Sequence, residues 1–317
     1  MVPFDRLEEA HARRSVLSDR SFIAAIYCAT IVFVAVVVGL FVMLFAGSWP
    51  AIQSFGLKFF WTSSWNPVTS QFGALPMIYG TVASSAIAIL LAGFVGVYAA
   101  AYLADFAPRL VARPLSFLIE LLAAVPSVVF GLWGLFVLSP VLRDRADPFL
   151  EAHFGFVPLF SGPIFGTSLL TAGVILAIMI VPTVCAISRD VIMAVLAEHR
   201  EGSLALGATR WETMWRVILP GAKSGIFGAC VLALGRALGE TIATTMVIGN
   251  KPAIAASLFQ PSYTLASVIA NEFTEATTAL YQSALIELGL LLFLVSMVVN
   301  GFARLLTWTV LRPSRGR

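Results

Sequence analysis

The sequence predicts an all-α, polytopic membrane protein with six transmembrane helices. Three observations carry that prediction. Of 317 residues, 59% are hydrophobic and only 12% are charged, about half the charged share (~25%) of an ordinary soluble domain. The apolar residues gather into six long stretches, and the basic residues alternate between the ends of those stretches.

The stretches are 22–46, 77–103, 115–138, 167–188, 224–249 and 280–309. Each meets the ~20 residues that a helix needs to cross a hydrocarbon core of about 30 Å. The first is too long for the ~7–15-residue core of a cleavable signal, and no small-residue cleavage pattern follows it. The second and third are joined by a short loop, 104–114, which makes them antiparallel neighbours. Basic residues cluster in the arm (Arg6, Arg13, Arg14, Arg20), in that loop (Arg109, Arg113), in the loop after the fourth stretch (Arg189, Arg200, Arg210, Arg216, Lys223) and at the C-terminal end (Arg304, Arg312, Arg315, Arg317). The alternate loops hold Lys58, Arg143, Arg145 and Lys251. Positive residues stay on the cytoplasmic side, so both termini are expected there. The division that follows is a cytoplasmic arm at 1–21, a membrane domain at 22–309 with a cytoplasmic loop at 189–223, and a tail at 310–317.

The net charge of +3 sits in these loops and gives no reason to expect nucleic-acid binding. Cys28, Cys185 and Cys230 fall inside apolar stretches and read as small packing residues. His11, His153 and His199 stand apart, without ligand spacing. Outward loops are expected at 47–76, 139–166 and 250–279. The first holds Trp49, Phe59, Phe60, Trp61 and Trp65, which suit either anchoring at the membrane interface or docking of an extracytoplasmic partner.

The loop between the fourth and fifth stretches is the most informative. Its first part, up to Leu206, is helix-compatible, and Gly207 is a natural stop in a left-handed conformation. Thr209 with Glu212 three residues on forms a capping box for a second helix. Trp211, Met214, Trp215 and Ile218 then share one apolar face. Pro220 ends that helix and marks entry to the fifth span. This loop resembles the coupling loop of ATP-binding-cassette importer permeases, whose pattern is Glu-Ala-Ala, three residues, Gly, nine residues, Ile, one residue, Leu-Pro. Glu201, Gly207, Leu219 and Pro220 fall in register, Val217 replaces the Ile, and Gly202 and Ser203 replace the alanines. The resemblance implies a type I importer (MetI-like) permease fold whose loop, including Trp211 and Trp215, seats in a groove of a cytoplasmic ATPase. Lys223-Ser224 mimics the end of a phosphate loop, but Ala222 and Val217 stand where its glycines belong. No ATP site is therefore expected in this chain, and ATP with its Mg belongs to the partner ATPase.

The fifth stretch carries Arg236 about 18 Å along the helix from Ser224, near the bilayer midplane. A charge there costs at least ~2.5 kcal/mol. Glu240 follows at i+4 and Thr244 continues the same face. Two readings stay open on the residues alone. Arg236 and Glu240 form an ion pair that locks helix packing, aided by the Gly235/Gly239 spacing; or Arg236 contacts a passing anion, with Glu240 as its resting counterion. Thr241 and Thr245 are expected to bond their own helix backbone. The run 235–248 is similar to the fifth-span motif of phosphate-specific transport permeases of the PstC type, and 119–134, with Glu120 and a helix-kinking Pro126, resembles the same family. That resemblance implies that Arg236 and Glu240 serve phosphate passage. Glu120, placed inside the third span, is expected to pair with a loop arginine, and Glu287 to snorkel to water at the outer end of the sixth.

The resemblance also implies partners: a homologous second permease, a cytoplasmic ATPase dimer, an extracytoplasmic phosphate-binding protein and membrane lipid. The alternatives are a permease for another oxyanion (sulfate, molybdate or phosphonate) and a proton-coupled secondary transporter in which Glu240 relays protons. The residues offer no nucleophile–base pair for an enzyme.

Overall fold

The computed structural model describes the backbone of residues 4–310 and the side chains of residues 22–305. Arg6, Arg13, Arg14, Arg20, Arg312, Arg315 and Arg317, which carry part of the predicted orientation, lie outside the described side chains. Among the described residues, six helices are long and apolar enough to cross a membrane: Phe22–Phe55, Leu75–Phe106, Ser127–Phe154, Leu169–Met193, Arg210–Leu238 and Ala279–Leu305.

The number of spans is as the composition predicts, but the first, third and fifth begin or end elsewhere. Helix α1 (Phe4–Phe55) runs unbroken through the first span and is followed by a single turn, α2 (Lys58–Trp61). Helix α3 (Leu75–Ala101) forms the second span. The chain then enters α4 (Arg109–Ala124), an amphipathic helix with no buried residue, in place of the short loop expected at 104–114. Val125 and Pro126 are extended (ψ 130° and 140°), because the residue before a proline is driven out of the α region. The long apolar helix of the third span therefore starts at Ser127, not at 115, with α4 leading into it, and Pro126 breaks the helix rather than kinking it. It continues through α5 (Ser127–Trp133), α6 (Ser139–Val141) and α7 (Asp147–Phe154), across residues expected to form a loop. Helix α8 (Leu169–Met193) is the fourth span, and Ser168 caps it by accepting from the Thr171 N–H.

Among the described residues four π turns each precede a proline, and three of them carry Pro140, Pro148 and Pro220 into a continuing helix. They span Tyr102–Phe106, Gly134–Leu138, Leu142–Ala146 and Met214–Ile218, and each ends two residues before a proline: Pro108, Pro140, Pro148 and Pro220. In every case the N–H just before the proline bonds the carbonyl five residues back, as from Leu219 to Met214. Proline lacks an N–H and its ring clashes with the carbonyl four residues upstream. Widening the preceding turn to five residues moves that carbonyl away. Hence Pro140 and Pro148 lie within the third span, and Pro220 continues the helix it was expected to stop.

The core is built on close parallel contact between α3 and α8, Ile87 lying against Gly173 and Gly96 against Val184. Ala88, Ala92 and Gly96 present a smooth face to Leu176, Ile180 and Val184, so backbones approach as they do in other membrane helix pairs rich in small residues. Cys185 is buried beside this face and Cys230 half-buried, whereas Cys28 is exposed on α1. At the end of the molecule opposite the α8 C-terminus, the first long loop folds inward. Phe59 is fully buried, and Phe72 stacks on Tyr281 at 5.2 Å. The Trp65 Nε1–H and the Tyr281 hydroxyl both donate to Glu272, at 2.7 and 2.6 Å. Phe59 and Trp65 are thus core residues, neither anchors nor docking groups, while Trp49 and Trp61 remain exposed.

A Cβ on Gly80 of α3 would run into the Tyr263 carbonyl and the Ser262 hydroxyl. Gly80→Val is expected to destabilise the subunit by roughly 1–3 kcal/mol, the usual cost of overpacking, read as a lower thermal unfolding midpoint in detergent. Helix α14 (Ala279–Val310) lies against α1 and forms the sixth span. Glu287 does not snorkel: it is buried between these two helices, and its Oε2 has no hydrogen-bond partner.

Candidate functional site

The fifth span is discontinuous. Helix α11 (Leu219–Leu238) stops at Gly239, and a short helix α12 (Ile242–Val247) resumes after Thr241. Gly239 gives the helix little reason to continue, and Glu240 offers its N-terminal successor a cap: Glu240 Oε1 accepts from the Ala243 N–H at 3.2 Å. Non-helical backbone at membrane depth persists where it is buried in protein or lines a wet cavity.

Arg236 and Glu240 therefore do not form the predicted i, i+4 stripe. Arg236 lies in the last turn of α11, on the stretch whose Ala233 and Ala237 pack against Ala88, Leu176 and Ile180 in the middle of α3 and α8. Its side chain is exposed, and among the described residues it has no ion pair. Glu240 accepts from the α12 backbone and makes no ion pair with Arg236 among the described residues. Thr244 is buried, and its hydroxyl has no partner. Both predicted backbone bonds form, from the Thr245 hydroxyl to the Thr241 carbonyl at 2.7 Å and from the Thr241 hydroxyl to the Gly239 carbonyl at 3.4 Å. Gly239 meets only carbonyls of its own helix, while Gly235 faces Asn300 of α14. The ion-pair lock thus has neither its pair nor a helix contact at Gly239.

The break in the third span lies beside this one. Gly131 packs against Ala243 and Met246, and Gly134 against Val247. Projecting that register back along the parallel helices α5 and α12 puts the Val125–Pro126 break level with Gly239. Two gaps in the helical ladder thus sit side by side, with Arg236 just below one of them. Glu120 is not part of this group. It lies on α4, largely exposed, with its carboxylate 3.6 Å from Arg189 Nη2, which is the loop-arginine pairing the sequence predicts.

The elbow between the fourth and fifth spans forms as expected. Helix α9 (Ala197–Ala205) ends at Gly207, whose φ is +88°. The capping box of Thr209 and Glu212 opens α10 (Arg210–Thr213), and backbone and hydroxyl bonds from Thr209 hold the Glu212 carboxyl close. The apolar face divides in two. Met214 and Ile218 are buried against the subunit's own α3 and α8 ends, whereas Trp211 is 59% exposed and Trp215 lies beside it, ring centroids 5.4 Å apart. Glu201 and Pro220 are exposed, Leu219 half-buried. A surface recess of about 380 Å³ opens at the turn, lined by Ser203, Leu206, Gly207, Glu212 and Arg216.

Sequence reasoning missed Asp105. Its side chain is covered at the end of the second span, where the carboxylate accepts from Arg200 Nη1 at 2.7 Å while its carbonyl accepts from Arg210 Nη2 at 3.1 Å. One residue thereby ties both arms of the elbow to α3, and Ser203 and Thr213 join the arms at 3.0 Å. Asp105 and Arg200 are 95 positions apart, and no local pattern announces such a pair.

Residues 94–310 match the family described as binding-protein-dependent transport system inner membrane component. A phosphate transport system permease protein PstC of Mesorhizobium japonicum is 46% identical over 300 residues, 93% of this chain and 92% of that one. The protein of the same name from Pasteurella multocida is 47% identical, covering 82% of each chain. A probable PstC of Methanocaldococcus jannaschii is 38% identical over 81% of this chain and 83% of its own. In fold, a chain of a bacterial alginate ABC transporter crystallised with its pentasaccharide-bound periplasmic protein superposes with a TM-score of 0.60 at 16% identity, covering 96% of this chain and 98% of that one.

Proposed function

The chain belongs to the family of inner-membrane components of binding-protein-dependent transport systems and is the permease of a phosphate importer of the ATP-binding-cassette class; we propose that Arg236 is the group that passes the anion. The carrying observation is an unpaired, exposed guanidinium at mid-depth, beside two level breaks in the helical ladder. A charge in that position is expensive, and no described residue forms an ion pair with it. A planar guanidinium fork makes paired, charge-assisted bonds to a tetrahedral oxyanion. Glu240 holds α12 in place by capping it, and so keeps the gap open without competing for Arg236.

In this reading the exposed face of α11 meets a homologous permease across a pseudo-two-fold axis, and phosphate moves between the two. The elbow residues Glu201, Gly207, Trp211, Trp215, Leu219 and Pro220 engage a cytoplasmic ATPase dimer, which binds ATP and Mg; this chain performs no covalent chemistry. An extracytoplasmic phosphate-binding protein delivers the anion on the opposite side, and both termini share the side of the elbow. Glu120 and Pro126 serve structure: one pairs with Arg189, the other sets the second break.

The test is uptake of labelled phosphate by liposomes carrying the assembled complex. Uptake is expected to require ATP, to survive a protonophore, and to resist a tenfold excess of sulfate, molybdate or phosphonate. Collapse with the proton gradient while ATP is maintained would transfer the function to a secondary transporter. Full competition by sulfate would transfer it to another oxyanion.

A further inference from the structure

A cavity of about 330 Å³ lies between α1 and α14, at the end of the molecule away from the elbow. Phe41 and Phe45 of α1 and Leu290, Leu291 and Leu294 of α14 wall it, and Glu287 is the acid among them. That volume is within the ordinary range for small-ligand sites, ~300–1,000 Å³. Glu287 is only 4% exposed, and its Oε2 is buried without a partner among the described residues. Apolar surroundings penalise a carboxylate strongly unless a donor reaches it.

The depth of the carboxylate can be read from its neighbours. The Ser283 hydroxyl donates to the Gly47 carbonyl at 3.0 Å, and Gly289 faces Leu44, so Glu287 is level with the stretch between Leu44 and Gly47. About one turn further out is Trp49, exposed and of the type that collects at headgroup depth. The cavity extends outward past that level to Gly56, Leu57 and Phe60, and inward to Phe41 and Leu294. It straddles the depth at which headgroups give way to acyl chains, with the carboxylate at the crossing.

We propose that this cavity seats the headgroup end of one phospholipid with a primary-amine headgroup, its ammonium donating to Glu287 and the first part of an acyl chain lying against Phe41, Phe45 and Leu294, with the rest of the lipid outside it. An ionised carboxylate only accepts hydrogen bonds, and a primary ammonium offers three donors. A quaternary headgroup offers none, and an anionic glycerol headgroup brings like charge. The apolar remainder of the wall matches the chain.

The test uses the delipidated complex, incubated with an equimolar mixture of phosphatidylethanolamine and phosphatidylcholine of identical chains. Lipid retained through gel filtration is counted by mass spectrometry. The ethanolamine lipid is expected to be enriched about tenfold, the ratio that a charge-assisted bond worth ~1.4 kcal/mol gives. Glu287→Leu and Glu287→Gln are expected to bring the ratio near unity while the complex still assembles. Equal retention of the two lipids by the wild type, or an enrichment that both variants keep, overturns the proposal. Leu291→Trp, which fills the cavity, is expected to lower retention of both lipids; if it instead severs the two permeases and leaves retention unchanged, a partner side chain occupies the cavity and the proposal falls.

Discussion

Arg236→Gln is expected to reduce ATP-dependent phosphate uptake by at least about a hundredfold while leaving the complex assembled. The magnitude follows from what a charged, hydrogen-bonded partner contributes when desolvated, roughly 3 kcal/mol or more. Assembly should survive because Arg236 makes no ion pair among the described residues, so its removal strands no buried charge. Arg236→Lys should recover only part of the rate, since an ammonium keeps the charge but not the planar fork. Glu240→Gln separates the two roles once proposed for the pair. Its amide oxygen still accepts from Ala243, where Glu240 Oε1 does now, so uptake should fall far less than in Arg236→Gln. Labelled-phosphate uptake in liposomes, with subunit composition checked by gel filtration, reads all three; normal uptake by Arg236→Gln removes this residue from the path.

Gly207→Pro is expected to uncouple the transporter, leaving ATP hydrolysis but cutting phosphate moved per ATP by tenfold or more. Gly207 sits at φ +88°, and a Cβ added there would meet nothing within 4 Å, so conformation, not crowding, is what glycine provides there. Proline fixes φ near −65°, and the chain can no longer turn from α9 into α10. The elbow is otherwise rigid, held to α3 by Asp105 through Arg200 and Arg210. From Arg210 to Leu238 the chain is one continuous helix, so displacement at the elbow is delivered along a rod to Arg236. The measurement is phosphate transported per ATP hydrolysed in the reconstituted complex; an unchanged ratio would detach the elbow from the drive.

Much of this was legible in the sequence because it depends on local rules. Span number follows from the length of apolar runs, and the elbow follows from a capping box and a left-handed glycine. Other features depend on contacts between distant segments. Asp105 finds Arg200 across 95 positions. Glu287 is sealed by α1, which is remote in sequence, so its place near a helix end suggested easy access to water that packing denies. Gly235 and Gly239 were ambiguous for a different reason: glycine at that spacing permits either close helix contact or a break, and Glu240 capping α12 decides for the break at Gly239. The prolines misled because a widened turn absorbs them, and that geometry has no obvious signature beforehand.

The turn at Met214–Ile218 also has a bearing on chain length. It holds one more residue than an α turn spanning the same rise, and each residue of an α-helix advances the azimuth by about 100°. Were the same number of residues wound there as ordinary α turns, everything downstream would swing around the helix axis by about that angle. Arg236 would then look toward a different neighbour, with its chemistry intact and its aim lost. The direction in which this side chain points is thus fixed some five helical turns away, by a supernumerary residue next to the elbow.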